Sequence, residues 1–247
     1  MSDTGKAPDT GKAPDAFRRR LLIAGAALPA ACATPVPQLA PPPEPPPLPQ
    51  VRVGQHWRYA TIDPYRGAAV GELRAEVVRR GGGGRAPLIV ALSDRSGGTI
   101  GEEQWAGPWS VVVDPSYDTP QIFESPMPYL PDTLVPGAQR SDATHYQVPN
   151  SSARFHWRQR LRATGWERVV VPAGSFDALR VERYINFQHW DIWRLMPWRI
   201  DVVWYAPEVG RWVQRDWTGQ YRWPGRRPVE VDENRVRWQL LDWQQGA

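Results

Sequence analysis

The chain has 247 residues, with 30 lysines and arginines against 26 aspartates and glutamates, a formal net charge of +4. Its single cysteine, Cys32, excludes an intramolecular disulfide, a thiolate zinc cluster and an iron–sulfur centre. Both lysines (Lys6, Lys12) and Arg18, Arg19 and Arg20 precede Cys32; beyond it 25 arginines face 23 carboxylates, so no broad nucleic-acid-binding field is expected.

In chain order, Asp3-Thr4-Gly5-Lys6-Ala7-Pro8 repeats at once as Asp9-Thr10-Gly11-Lys12-Ala13-Pro14. Two short copies are too few for a solenoid and read as an extension of the basic segment at Arg18–Arg20. The three arginines lead into the uncharged stretch Leu21–Leu28, and then Ala30-Ala31-Cys32. A basic region, a short apolar region and small residues before a cut are the parts of a secretory signal. The apolar run falls short of the roughly 20 residues that a spanning helix needs. Leu28-Pro29-Ala30-Ala31-Cys32 resembles a bacterial lipoprotein signal, in which the cysteine becomes the lipidated first residue of the mature chain. The other reading of Cys32 is a plain residue in a signal cut elsewhere. Arg18-Arg19-Arg20-Leu21-Leu22 also resembles a twin-arginine export signal, so the export route stays open. Ala33 stands where an inner-membrane lipoprotein would carry aspartate, which points to the outer membrane, facing the periplasm. The resemblance implies a cell-envelope protein, with residues 1–32 as signal and the membrane as a partner through Cys32.

Residues 33–50 are rich in proline, from Pro35 and Pro37 to the runs Pro41–Pro43 and Pro45–Pro47 and Pro49. Such a segment favours polyproline II and reads as a stiff linker. Residues 51–247 carry all 14 tryptophans and no second linker, and are expected to form one domain.

That domain reads as all-β, mainly antiparallel. His56–Ile62 and Val70–Val78 alternate apolar with polar residues. The Gly81–Gly84 run then separates Val70–Val78 from Leu88–Leu92 in a hairpin pattern. Phe155, Trp157, Gln159 and Leu161 alternate with His156, Arg158, Arg160 and Arg162. Leu179, Val181, Arg183, Ile185 and Phe187 alternate with Arg180, Glu182, Tyr184 and Asn186. Ile200–Tyr205, Arg211–Trp217 and Val236–Trp243 are further strands. The period of two predicts one buried and one wet face, with arginine and glutamate on the wet one. Seven prolines between Pro115 and Pro149 predict long loops over 114–149, and Trp190–Trp198 is expected to form one helical turn before Pro197. A curved sheet or half-barrel with long proline-rich loops and little helix fits this pattern.

Two segments, Val169-Val170-Val171-Pro172-Ala173-Gly174-Ser175-Phe176 and Trp204-Tyr205-Ala206-Pro207-Glu208-Val209-Gly210, resemble those of TapB-like bacterial envelope domains. So does the opening Val53-Gly54-Gln55-His56-Trp57-Arg58-Tyr59. The resemblance implies a curved antiparallel sheet similar to the LolA/LolB half-barrel and brings no catalytic residue. The residues themselves explain both segments as turns, in which proline fixes φ and glycine permits a positive one.

No nucleophile elbow or phosphate loop is present. The histidines His56, His145, His156 and His189 have no metalloprotease spacing and are expected to be solvated. Neither a metal nor a cofactor is implied. Asp114, Asp118, Glu124, Glu102 and Glu103 are the carboxylates that the 114–149 loops would have to gather for a hydrolase. Seven tryptophans between Trp190 and Trp223, interleaved with arginines, are first of all core filler. They also define a candidate ligand-binding face of Trp190, Trp193, Trp204, Trp212, Trp217, Arg194 and Arg215. The expected function is a membrane-anchored envelope lipoprotein with a non-enzymatic binding or structural role. A lipid- or glycan-binding carrier with a tryptophan-lined concave face, and a hydrolase with its site in 114–149, are the alternatives; a protein ligand is also open.

Overall fold

The computed structural model describes residues 38–80, 88–117 and 119–246; the segment with Cys32 read as an export signal, the Gly81–Gly84 run and Asp118 lie outside them. The described chain is made of strands: β1 Gln38–Leu39, β2 His56–Asp63, β3 Ala68–Arg80, β4 Leu88–Asp94, β5 Thr99–Gly107, β6 Ser110–Asp114, β7 Gln121–Pro128, β8 Gln139–Gln147, β9 Phe155–Val171, β10 Gly174–Phe187, β11 Leu195–Ala206, β12 Arg211–Trp223, β13 Val229–Asp232 and β14 Val236–Gln244. All pairings are antiparallel, in the order β9-β10-β11-β12-β14-β2-β3-β4-β5-β6-β7-β8. β8 then pairs back onto β9 from Gln139↔Arg162 to Tyr146↔Phe155, so these twelve strands close into a barrel. The all-β expectation is met, and the curved sheet goes one step further by joining its own edges, which removes them as sites of unwanted pairing.

The period-two pattern sets the walls. On β9 Trp157, Gln159, Leu161 and Ala163 are buried while His156, Arg158, Arg160 and Arg162 are exposed. On β10 Phe176, Leu179, Val181, Ile185 and Phe187 are buried. The turns at 172–174 and 206–210 sit where their prolines and glycines place them, with Gly174 at φ +138° and Gly210 at φ +69°. The second turn is tied to the first long strand by the Trp57 indole N–H, which donates to the Val209 carbonyl at 3.0 Å. Outward positions carry charge. Arg58 faces Asp242 and Glu72, and Arg74 faces Glu76. A barrel in lipid presents an apolar band there.

Three expectations are corrected. The segment 114–149 is not all loop, because it holds β7 and β8. Its prolines are tolerated because β7 pairs with β8 only at Ile122↔Gln147 and Phe123↔Tyr146, and its register on β6 shifts between Val111 and Val113. Pro126 falls in this weakly paired stretch, where no ladder donor is missed. Trp190–Trp198 forms no helical turn. Asp191 instead caps a bend, accepting from the Trp193 N–H at 3.0 Å, and β11 starts at Leu195. Finally, arginine is not confined to the wet face, as described below.

Within the proline-rich stretch, β1 pairs with Glu167 and Trp166 of β9, and Pro49 is buried. The compact unit accordingly runs over Pro37–Ala247.

Leu161 is fully buried at the seam that closes the barrel, whereas Val170 on the same strand is 74 % exposed. Leu161→Ala is expected to lower the unfolding free energy by about 2–5 kcal/mol. Val170→Ala is expected to change it by no more than about 0.5 kcal/mol. Urea unfolding of the two variants checks the assignment of inner and outer faces.

Candidate functional site

Twelve strands enclose more space than aliphatic side chains fill, since about eight already leave a side-chain-filled interior. Large residues meet in the middle instead. One apolar cluster holds Leu161, Ala163, Leu179, Val181, Val203, Tyr205 and Trp212. A second holds Tyr117, Phe123, Tyr146, Trp157, Ile185 and Phe187. Between them β10, β11 and β12 contribute Arg183, Asp201 and Arg215. Arg183 lies directly across from Asp201, and Arg215 reaches the same carboxylate diagonally from opposite Val203.

The geometry of this layer is tight. Arg183 Nη2 donates to Asp201 Oδ2 at 2.6 Å, and Arg215 donates through Nε and Nη2 at 2.9 and 2.8 Å. The Arg183 guanidinium stacks 3.7 Å from the centroid of Tyr129, whose hydroxyl donates to Asp114. Burial by itself pushes the Asp201 carboxyl up, but Arg215 and Arg183 outweigh it and hold it below the ordinary aspartate range. Burial pushes the Tyr117 and Tyr129 hydroxyls up, so both stay protonated donors.

Two further arginines lie inside. Arg211 pairs with Glu103 at 2.8 Å and is ringed by Trp57, Trp105, Trp109 and Trp212 at 5.1 to 5.5 Å. Trp109 reaches it from the β5–β6 turn with a left-handed backbone, φ 57°, which is uncommon for a bulky residue. Its ring is held between Trp105, Tyr129 and Tyr205. Arg199 makes a bidentate pair with Glu233 at 2.6 and 3.1 Å and stacks 3.9 Å from Tyr117. Arg183, Arg199, Arg211 and Arg215 are each at most 3 % exposed, and three buried carboxylates pair with them, Asp201 with two and Glu103 and Glu233 with one each.

Beside Arg199 the barrel opens into a cavity of about 390 Å³. Tyr117, Trp217 and Tyr221 give it aromatic walls, and Arg194, Arg199 and Glu233 give it charge. Gly219 makes room for the Arg199–Glu233 pair, because a Cβ there would stand 2.6 Å from Glu233 Oε2 and 2.8 Å from the Trp198 carbonyl. Arg194 lies 5.1 Å over the ring of Tyr221. Trp193 and Trp223 stack at 6.2 Å, and both remain exposed.

The seven residues of the sequence-derived face are therefore divided. Trp217 and Arg194 line the cavity, and Arg215 lies behind it, donating to Ser116 Oγ at 3.4 Å. Trp190 and Trp193 are exposed on the bend before β11. Trp212 is core, stacked 3.8 Å on Tyr59. Trp204 is on the outer wall, donating to Glu167 at 2.8 Å under Arg180.

Tyr117, Arg199 and Glu233 were not singled out by sequence. The signal for the buried charges was their phase, since Arg183 shares a face with Val181 and Ile185, and Asp201 with Val203 and Tyr205. The carboxylates considered for a hydrolase are spread apart. Asp114 accepts from Tyr129, Glu103 pairs with Arg211, Glu102 with Arg79 and Glu124 with Arg154. His189 is buried rather than solvated, with Nδ1 accepting from the Asp191 N–H at 2.9 Å. No group of His, Cys, Asp and Glu fit to hold a metal occurs among the described residues.

No protein-family model and no curated protein matches the chain. Two solved structures are similar. One is a candidate lipoprotein from Parabacteroides distasonis, 14 % identical over 81 % of this chain and 100 % of that one, with a TM-score of 0.48. The other is a candidate exported protein with a YmcC-like fold from Bacteroides fragilis, 12 % identical over 82 % of this chain and 100 % of that one, with a TM-score of 0.40. Likeness at this level does not extend to function.

Asp201 carries a prediction about acid stability. Its folded pKa lies below the unfolded value of about 3.9, so its contribution is complete above that pH and is lost as pH falls through the folded value. Asp201→Asn leaves two buried arginines without their shared carboxylate and is expected to cost about 3–5 kcal/mol at pH 7. The gap between variant and parent should narrow as pH falls below the unfolded value and through the lowered folded one, as urea unfolding over a pH series would show.

Proposed function

We propose that this chain is a lipid-anchored protein of the bacterial cell envelope, with a non-enzymatic binding or structural barrel held at the membrane through Cys32. The observation that carries the reading is the order Arg18–Arg20, Leu21–Leu28, Ala30-Ala31-Cys32. Ala33 favours the outer membrane, facing the periplasm. The proline-rich stretch after Cys32 suits a linker between anchor and barrel, its β1 portion held on the barrel wall by β9, and the charged outer wall suits a body standing in water. Residues 1–32 as signal, 33–50 as linker and 51–247 as the working domain remain the organisation proposed. The turns at 172–174 and 206–210, which resemble those of TapB-like envelope domains, support the same reading. Closure into a full ring sets the barrel apart from the LolA/LolB half-barrel.

Each buried methylene of an acyl chain adds about 0.8 kcal/mol of membrane affinity, and stable anchoring takes more than one chain. Mass spectrometry of the N-terminal peptide from the membrane fraction is expected to find Cys32 carrying acyl chains. Cys32→Ser is expected to release the protein to the soluble fraction. An unmodified N-terminus on membrane-bound protein would overturn the anchor.

The cavity beside Arg199 favours a second reading, a glycan-binding role. Trp57, Trp105, Trp157 and Trp212 are fully buried and take up interior space that an acyl chain would need. The cavity walls instead combine stacking rings with hydrogen-bonding groups, which suits sugar hydroxyls and ring faces. Native mass spectrometry of the purified chain is expected to show a co-purified saccharide that Trp217→Ala and Tyr221→Ala each reduce. Co-purified phospholipid unaffected by either substitution would count against it.

A further inference from the structure

We propose that the outer wall of the barrel around Arg160 binds an acidic polysaccharide, a chain of uronate-type sugars. Arg158, Arg160 and Arg162 stand at alternate positions of β9, exposed and in one row, about 7 Å apart. They are unusual in this molecule. Every other strand arginine with a described side chain lies within ion-pair distance of a carboxylate, inside the barrel or on its wall. Among the described residues no carboxylate pairs with these three. Two carboxylates also line this surface, Asp142 and Glu182, the latter opposite Arg162 in register, but each is paired with another arginine, Glu182 with Arg180 at 2.7 Å and Asp142 with Arg140 at 2.9 Å.

The surface is also shaped. Two concavities of about 420 and 390 Å³ lie side by side on the wall and share Arg160 and Tyr184. Arg158 and Asn186 line the first, and Arg162 and Gln139 the second. Tyr184 is opposite Arg160 in register, so ring and guanidinium share the outer face. Its ring stacks at 6.3 Å on that of Trp198, which stands diagonally across the sheet, opposite Asn186. The result is an elongated trough with a row of unneutralised cations beside an aromatic platform. A flat membrane of anionic headgroups would meet the cations but would not use the trough or the rings. A linear acidic glycan uses all three: carboxylates on the guanidiniums, ring faces on Tyr184, hydroxyls on Asn186 and Gln139. This site lies on the outside of the wall and is independent of both the Cys32 anchor and the Arg199 cavity.

The test is binding of the full chain in detergent micelles to polygalacturonate at low salt. Dextran serves as the neutral polymer and phosphatidylglycerol vesicles as the anionic surface. Polygalacturonate is expected to bind and dextran to fail, with affinity falling steeply as salt is raised. Arg158→Gln, Arg160→Gln and Arg162→Gln combined should weaken binding at least about fivefold. Arg226→Gln with Arg227→Gln, which removes two exposed loop arginines, should leave it unchanged. If the triple variant does not fold, Arg160→Gln and Tyr184→Ala singly should each weaken binding. The proposal is overturned if polygalacturonate does not bind, if it binds the variants as well as the parent, or if the vesicles compete it away. Loss of membrane attachment in Cys32→Ser, with binding retained, is the expected pattern and separates this site from the anchor.

Discussion

The barrel depends on a constraint of size. A ring of twelve strands is too wide to be filled by valine and leucine from its walls. The chain spans the gap with its longest side chains, arginine and tryptophan, and arginine brings a charge that cannot be left bare in a dry interior. Each internal guanidinium is therefore answered by a carboxylate from another segment, as Arg183 and Arg215 are by Asp201, Arg211 by Glu103 and Arg199 by Glu233. These pairs join β10 to β11, β11 to β12, β12 to β5 and β11 to the segment after β13. Removing one partner of such a pair is costly because the other stays buried, so the layer also fixes register around the ring.

Aromatic rings finish what the carboxylates begin. A guanidinium has more donors than one carboxylate can accept, and Arg211 keeps Nε and Nη1 without hydrogen-bond partners. Four tryptophan faces surround it instead. Cation–π contact substitutes for solvation there, and it explains why Trp109 is retained in a left-handed turn. The tryptophan richness of this domain and its buried arginines are one feature, since each makes the other tolerable.

The outer wall follows a different rule. In water an exposed arginine gains little from a carboxylate, yet most of those on the wall are paired. That leaves the Arg158–Arg162 row as a local excess of positive charge on a molecule whose charges elsewhere are largely matched. A site built this way gains affinity and specificity from charge and shape together, and it loosens with salt.

The alternation of Trp157, Gln159 and Leu161 with Arg158, Arg160 and Arg162 is enough by itself to fix β9 and its two faces, because side-chain direction has a period of two. The same holds for β10 and for the turns at Pro172 and Pro207, whose backbone preferences are local. Prolines misled over 114–149, because whether a strand can hold Pro126 depends on how fully its neighbours pair with it. The phase of Arg183 among Val181 and Ile185 was visible, but its meaning was not. A charge inside a wall is acceptable only when another strand delivers a carboxylate, and Asp201 lies 18 residues away. Local sequence thus determined the strands and their faces. Ring closure through β8 and β9, the pairing of the internal charges, and the gathering of Tyr117, Trp217 and Glu233 into one cavity were decided by the tertiary structure. Each joins residues far apart in the chain, and long-range pairing leaves no periodic trace in a single sequence.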